Sequence, residues 1–227
     1  MRSADIVFSV CPPHAALDVA QSVAEQNFTG IYVDANAISR STAEQIGQIV
    51  SKAGASFVDG GIIGAPVKRA GTTRLYLSGE RAPEVAELFP QSMLDARTIG
   101  TVPGAASALK VAYAAWTKCT DMLVLAICAL AAREGVSDAL MKEWAISQPD
   151  LERKSVRAAA VATPKAWRYV GEMREIAETF EAAGLPTGFH NAAAEICERL
   201  APFKDRTDPA PTIAEVVDTL RSASKNH

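Results

Sequence analysis

The sequence has no excess of basic residues, and this argues against one broad class of partner. It carries 23 Lys and Arg against 26 Asp and Glu, which gives a formal net charge of −3. Proteins that bind nucleic acid usually present a basic face or segment to the phosphates. We therefore expect a small-molecule or protein partner and no nucleic acid.

Cysteine is scarce, and its spacing does not suit a metal site. The four cysteines are Cys11, Cys119, Cys128 and Cys197, and none forms a CxxC motif or stands near a pair of histidines. Zinc sites and redox motifs need such spacing. No secretory segment is recognisable before them. We expect reduced, mostly buried thiols in a cytoplasmic protein without a metal.

Long hydrophobic runs are also absent. The longest, MLVLAICALAA at 122–132, has 11 residues and is flanked by Asp121 and Arg133. A helix needs about 20 apolar residues to span a bilayer. The run therefore predicts a buried core helix and no association with a membrane.

The two halves of the sequence differ in their periodicity. Up to about residue 99, β-rich runs alternate with helical ones, which is typical of a parallel sheet covered by helices. The predicted strands cover 4–10, 30–36, 56–63, 73–79 and 93–100, and the predicted helices cover 13–26, 41–53 and 83–89. After Gly100 only helices are predicted, at 102–134, 136–147, 150–183 with a break near Pro164, 187–201 and 211–224. The predicted fold class is α/β followed by all-α.

Three of the predicted strands end in residues suited to a ligand site. In an open α/β sheet, ligands bind in the crevice at the carboxyl ends of the strands. The first strand ends in SVCPPHA (9–15), the second in VDANAIS (33–39) and the third in DGGIIGAP (59–66). Ordinary turns use the same residue types, so no one of these segments indicates a function by itself.

The helix predicted after Gly100 holds an isolated cation in an apolar setting. In GTVPGAASALKVAYAAWTK (100–118), Lys110 stands among Ala, Val and Leu. Burial lowers the pKa of a lysine because desolvation disfavours its charged form, and a general acid–base works best with a pKa near the working pH. Lys110 is therefore either an acid–base group or a lysine whose stem crosses apolar surface to reach solvent.

Taken in order, the strand ends and the lysine helix resemble the β-hydroxyacid dehydrogenase superfamily, which includes 3-hydroxyisobutyrate and 6-phosphogluconate dehydrogenases. The similarity covers nearly the whole chain and is most specific in VDGGIIGAPVKRAGTTRLYLSG (58–79) and the lysine helix. A branch of phosphogluconate-dehydrogenase-like oxidoreductases has segments similar to GAASALKVAYAAWTK (104–118) and EMREIAETFEAAGLP (172–186). The resemblance implies that residues 1–100 are the C-terminal portion of a Rossmann-like NAD(P)-binding domain. Residues 101–227 would form an all-helical substrate and dimerisation domain.

The resemblance also implies a reaction and a set of site residues. Lys110 would be the acid–base of a hydride transfer between nicotinamide and a small hydroxy acid or a related carbonyl or imine compound. The expected substrate-binding residues are Gly60, Gly61, Gly64, Ala65, Tyr113 and Ala114. The expected cofactor-binding residues are Cys11, Pro12, Pro13, Asn36 and Arg174.

The sequence departs from the family pattern around the expected substrate. Ile63, Gly64 and Ala65 stand where the family has Ser-Gly-Gly, and Tyr113 and Ala114 replace the Asn residues that usually follow the lysine. We expect a pocket that is less polar than in the named dehydrogenases. Tyr113, one helical turn after the lysine, either offers its phenol to the substrate or packs against the sheet domain.

The dinucleotide-binding fingerprint is missing from the sequence. A Rossmann domain opens with a strand followed by GxGxxG at a helix N-terminus, and neither GGIIGAP nor GTVPG has that spacing and position. The first strand resembles the fourth strand of the family. The chain is therefore truncated, has a misplaced start, or is a paralogue that has lost the phosphate site.

The sequence as a whole favours an oxidoreductase that uses NAD or NADP. A homodimer through the helical half is expected, because the 102–134 helix is apolar on most of its faces and such a helix must be covered. The alternative is a non-catalytic dimeric paralogue, a scaffold or small-ligand binder that lacks the dinucleotide phosphate site.

Overall fold

A computed structural model describes residues 4–222, and its elements follow the predicted ones closely. Contacts within the chain divide it into two units, Met1–Tyr113 and Ala114–His227. The first unit holds the sheet and the second is helical, so the predicted fold class is confirmed.

The first unit is built on a five-stranded sheet with the strand order β1-β2-β3-β4-β5. The strands are β1 (Ile6–Ser9), β2 (Ile31–Asp34), β3 (Ser56–Gly64), β4 (Thr73–Ser78) and β5 (Leu94–Gly100). The helices that connect them are α1 (Ala16–Glu25), α2 (Arg40–Lys52) and α3 (Ala82–Ala86).

The alternation of strands and helices predicted a parallel sheet, but the sheet is mixed. Strands β1, β2 and β3 are parallel to one another, β4 is antiparallel to β3, and β5 is parallel to β4. The connection between β3 and β4, residues 65–72, contains no helix. A parallel crossover needs about a dozen residues or more, usually including a helix. This short link therefore reverses the chain direction.

Two apolar clusters cover the two faces of the sheet. On one face, Ala16 and Ala20 of α1 and Ile46 and Val50 of α2 pack over Tyr32 of β2. Their spacing places each pair on one side of its helix. The other face is covered by a second cluster, which consists of Ile31, Val33, Ala35, Val58, Leu75, Leu77, Ala82 and Val85. Strand β2 is thus buried on both faces, which is typical of a central parallel strand.

The second unit consists of helices within the described part of the chain. The helix α4 (Ala105–Arg133) begins in the first unit and continues into the second. The others are α5 (Ser137–Ser147), α6 (Leu151–Arg157), α7 (Ala166–Ala182), α8 (Gly188–Arg199) and α9 (Ile213–Ser222). The predicted break near Pro164 is confirmed, since a π-turn and a 3₁₀ turn separate α6 from α7. The last two residues of the predicted 211–224 helix lie outside the described residues.

The helix α4 is the one helix among residues 4–222 that is long and apolar enough to cross a membrane by length and composition, with a mean hydropathy of 1.5. This is weak evidence, because core helices of soluble proteins pass the same test. The run 122–132 was expected to be a buried core helix. Met122 and Leu125 are fully buried, but Leu123 and Leu130 are 49% and 59% exposed. The expectation is thus correct for Met122 and Leu125 and wrong for Leu123 and Leu130.

The four cysteines are free, with Cys128 and Cys197 buried and Cys11 and Cys119 partly buried. Burial raises the pKa of the Cys197 thiol to about 12, so this thiol is unreactive at neutral pH.

Candidate active site

Four buried polar side chains form a row across the sheet of the first unit. Ser9, Asp34 and Asp59 are register partners on β1, β2 and β3, and Ser78 of β4 is the register partner of Asp59. Ser9 is 4% exposed and the other three are not exposed at all. We call these four residues the polar row. It lies where β1 and β2 end, at the edge of the sheet where α/β proteins bind ligands.

Asn36 fastens the ends of β1 and β2 together. Its Oδ1 accepts a hydrogen bond from the backbone N–H of Cys11 at 2.6 Å. Its Nδ2 donates to Ser9 Oγ at 3.0 Å and to Asp34 Oδ2 at 2.8 Å, and its backbone N–H donates to Asp34 Oδ1 at 3.0 Å. Both side-chain N–H groups are therefore engaged inside the protein. The cofactor contact expected for Asn36 stays a prediction, and the hydrogen bonds give the side chain a role in holding the loops in place.

The carboxyl group of Asp34 is strongly affected by its burial in the polar row. Burial raises its pKa to about 6 because desolvation disfavours the carboxylate, and the neighbouring charge of Asp59 acts in the same direction. The hydrogen bonds from Asn36 and the positive charge of Lys110 oppose this rise. Asp34 therefore changes its charge close to the physiological range.

Lys110 lies on α4 within the first unit, beside the polar row. Its side chain is partly buried, and desolvation lowers its pKa, while the attraction of the Asp34 carboxylate raises it. A Cβ placed on Gly61 of β3 would lie 3.3 Å from the Cβ of Lys110. The structure thus brings together three groups that are far apart in the sequence. A lysine with a lowered pKa beside a buried acid has the properties of a general acid–base.

The glycine segment of β3 has two parts with different surroundings. Gly60 and Gly61 are buried inside the strand, and a Cβ would lie 2.9 Å from the carbonyl oxygen of Asp34 at Gly60 and 2.7 Å from that of Ala106 at Gly61. Close packing of the backbone therefore requires glycine at both positions. Gly64 ends the strand and is exposed, with a φ of +129° that side chains rarely adopt.

Three further site residues lie at the surface of the first unit or near it. Ala65 is exposed, and its carbonyl oxygen accepts a hydrogen bond from Thr73 Oγ1 at 2.5 Å. Pro12 is exposed, and Pro13 opens a 3₁₀ turn that leads into α1. The contacts expected for these residues with substrate or cofactor stay predictions.

Tyr113 ends the first unit and is 48% exposed, whereas Ala114 and Arg174 belong to the second unit. Ala114 is 8% exposed. Arg174 donates through Nη2 to Glu198 Oε1 at 2.5 Å, on the surface of its unit. The assignments of Tyr113 and Ala114 to the substrate and of Arg174 to the cofactor stay predictions.

The contacts that anchor α4 on the sheet were not predicted from the sequence. Asp59 accepts hydrogen bonds from Ser107 N at 3.0 Å, Ser107 Oγ at 2.5 Å and Ser78 Oγ at 3.0 Å. The backbone N–H of Ala106 donates to Ser78 Oγ at 3.1 Å. One signal was available, because β3 and β4 each place one polar residue after an apolar run, in SFVD and LYLS.

Comparison with known proteins supports the family resemblance. A family model described as a domain of unknown function, DUF1932, matches residues 131–200. A curated relative, an uncharacterised 28.5 kDa protein in the 7S RNA 5′ region of Methanothermus fervidus, is 31% identical over 142 residues. That match covers 63% of this chain and 54% of the relative, so the chain matches about half of the relative's length.

Solved structures share the fold over most of the chain. A conserved hypothetical protein from Sinorhizobium meliloti is 26% identical with a TM-score of 0.74, and the match covers 97% of this chain and 75% of that one. The conserved protein MTH1747, described as structurally similar to 3-hydroxyacid dehydrogenases, is 25% identical with a TM-score of 0.70, over 88% of this chain and 76% of that one. The 3-hydroxyisobutyrate dehydrogenase of Mycobacterium tuberculosis is 18% identical with a TM-score of 0.67, over 96% and 80%.

The chain therefore has the fold of the 3-hydroxyacid dehydrogenases, and the resemblance to the β-hydroxyacid dehydrogenase superfamily is confirmed. Within that fold, its second unit carries the DUF1932 match.

Proposed function

We propose that the protein is a nicotinamide-dependent oxidoreductase in which Lys110 is the general acid–base. One observation carries the proposal: Lys110 is partly buried beside a buried acid, and burial lowers its pKa, in a chain with the 3-hydroxyacid dehydrogenase fold. In the oxidative direction, Lys110 accepts the proton of the substrate hydroxyl group. In the reductive direction, it donates a proton to the oxygen or nitrogen of a carbonyl or imine.

The nicotinamide would supply the hydride chemistry, and the chain's own residues would position the reactants. The ends of β1 and β2, with Cys11, Pro12 and Pro13, offer a fastened edge that fits the nicotinamide end of such a cofactor. The sequence contains no GxGxxG cradle for the pyrophosphate. The residues present thus fit the nicotinamide end of NAD or NADP and not the phosphates.

The substrate class is inferred from the segment that the family resemblance assigns to the substrate. With Ile63, Gly64 and Ala65 in place of Ser-Gly-Gly, this segment offers no hydroxyl donor. A substrate with few groups that need hydrogen bonds suits this segment best, because unpaired polar groups are costly in a closed site. Within the proposed class of small hydroxy acids and related carbonyl or imine compounds, a carbonyl or imine compound therefore suits this segment better than a hydroxy acid, whose hydroxyl and carboxylate both need hydrogen-bond partners.

Titration with nicotinamide compounds tests the cofactor assignment. We expect NADH or NADPH to bind with a dissociation constant in the micromolar range, and reduced nicotinamide mononucleotide to bind nearly as well, since the chain offers no pyrophosphate cradle. Lys110→Gln serves as a matched variant that keeps this binding, because the lysine acts on the substrate. Absence of binding by all three compounds would favour the alternative, a non-catalytic scaffold or small-ligand binder.

A homodimer through the helical half is the proposed assembly. Trp116, Leu123 and Leu130 follow one another at intervals of seven residues on α4, which places them on one face, and they are 70%, 49% and 59% exposed. A second copy would cover this apolar face. Light scattering should report a dimer that Leu123→Glu with Leu130→Glu converts to a monomer, whereas Leu88→Glu, at an exposed leucine of the first unit, should not. An unaltered chain that is monomeric at micromolar concentration contradicts the assembly.

A further inference from the structure

The first turn of α4 is held by a buried carboxylate rather than by a residue of its own segment. The N–H groups of a helix's first turn have no partners within the helix and need acceptors elsewhere. At the start of α4, Ser107 N donates to Asp59 Oδ2 at 3.0 Å and Ala106 N donates to Ser78 Oγ at 3.1 Å. Asp59 and Ser78 are fully buried and belong to β3 and β4. The sheet itself therefore caps this helix.

The same strand also lets the helix come close. Gly61 stands two residues after Asp59 and shares its face of β3, because side chains alternate along a strand. A Cβ at Gly61 would lie 2.7 Å from the carbonyl oxygen of Ala106, a distance that real Cβ atoms do not adopt. One segment of β3 thus attracts the helix through a carboxylate and makes room for its backbone through a glycine.

Lys110 follows these contacts by about one helical turn. It comes three residues after Ser107 and four after Ala106, on the same side of the helix. A helix is rigid over one turn, with a rise of about 5.4 Å. The contacts that fix the first turn therefore fix the place and the direction from which the lysine leaves the helix.

We propose that Asp59 is a positioning residue for Lys110: by capping α4 from the sheet, it sets the depth and orientation at which the lysine is presented beside Asp34. The inference rests on the proposed role of Lys110 as acid–base. Asp59 does not act on the substrate, since its carboxylate is fully buried and is engaged by Ser107 and Ser78.

Titration of Lys110 in matched variants tests the proposal without requiring a substrate. Isotope-labelled dimethyl-lysine signals, assigned by Lys110→Arg, give the pKa of Lys110 by nuclear magnetic resonance. We expect both Asp59→Asn and Gly61→Ala to raise this pKa toward its ordinary value of about 10.4, because displacement of α4 lets water reach the amine. Loss of the Asp59 charge alone would lower the pKa of the lysine, so a rise reports displacement.

The controls separate positioning from general damage. Asp18→Asn removes an exposed carboxylate of the same unit, and Gly47→Ala places a Cβ 2.7 Å from the side-chain atom Phe57 Cδ1, under α2 instead of α4. Neither should change the pKa of Lys110. Ser107→Ala removes one donor to Asp59 and should raise the pKa of Lys110 less than Asp59→Asn does. This variant still tests the proposal if Asp59→Asn does not fold.

The outcomes distinguish this inference from the function on which it rests. The positioning role alone is overturned if the pKa of Lys110 is lowered in the unaltered chain and is equally low in Gly61→Ala and in Asp59→Asn. Ser107→Ala replaces Asp59→Asn in this comparison if the latter does not fold. An ordinary Lys110 pKa in the unaltered chain contradicts the acid–base proposal instead.

Discussion

Replacing Lys110 with alanine is expected to lower turnover by about 10²- to 10⁴-fold, the usual contribution of a general acid–base. The lysine is the group that would exchange a proton with the substrate. Desolvation lowers its pKa, and the charge of the buried Asp34 raises it. The measurement is the rate of nicotinamide absorbance change. Substrates would first be found by a thermal-shift screen of hydroxy acids, sugar acids and cyclic imines in the presence of cofactor.

Two further variants are the controls for the Lys110→Ala measurement. Lys110→Arg keeps a positive charge but cannot exchange a proton near neutral pH, so it should lose nearly as much activity as the alanine variant. Lys52→Ala, at an exposed position on α2, should change turnover by less than a few-fold. Activity of Lys110→Ala within a few-fold of that of the unaltered chain, with the fold intact by circular dichroism, would contradict the acid–base role of Lys110.

The unaltered chain is expected to lose stability, relative to Asp34→Asn, as the pH rises from about 4 to about 7. Burial raises the pKa of Asp34 to about 6 in the folded chain, whereas an unfolded aspartate has a pKa of about 3.9. The folded state therefore holds this proton more tightly, and the stabilisation that it gives is complete below pH 4 and disappears as the pH passes 6. Between pH 4 and pH 7 the free energy of unfolding of the unaltered chain should fall by about 3 kcal/mol relative to that of Asp34→Asn.

Urea unfolding at a series of pH values measures this effect. The difference between the unaltered chain and Asp34→Asn isolates Asp34 from other carboxyls, such as Glu215, whose pKa is lowered to about 2 by hydrogen bonds from Thr212 and Arg206. Asp218→Asn, at a side chain that is 74% exposed, is the matched surface control. Parallel pH profiles for the unaltered chain and Asp34→Asn would show that Asp34 is ordinarily ionised in the folded protein.

The fold was largely predictable because its elements carry strong local signals. The strands of the first unit are short apolar runs bounded by turn residues, and the helical patterns after Gly100 are separated by residues that stop helices, such as Gly135 and Gly184. The reversal at β4 was not predicted, because strand direction depends on the connection at residues 65–72 and not on the strand itself. Likewise, the exposure of Leu123 and Leu130 depends on how α4 packs in the folded chain and not on the apolar run itself.

The candidate site was predictable at its lysine and much less so around it. Lys110 stood out because a cation in an apolar helix is unusual and its motif resembles a known family. The partners of Asp59 could not be predicted, because the contact with Ser107 joins residues 48 positions apart and depends on the register of β3 against β4 and on the placement of α4. Gly61 was expected to face a substrate, and its packing against Ala106 becomes visible only when the helix is in place.

The pKa of Lys110 in the unaltered chain tests the central claim most directly. Acid–base chemistry by this residue requires that the folded protein disfavours its charged form, and burial beside β3 has this effect. Titration of the assigned dimethyl-lysine signal should give Lys110 a pKa clearly below the ordinary lysine value of about 10.4. A Lys110 pKa at that ordinary value would contradict the proposed acid–base role.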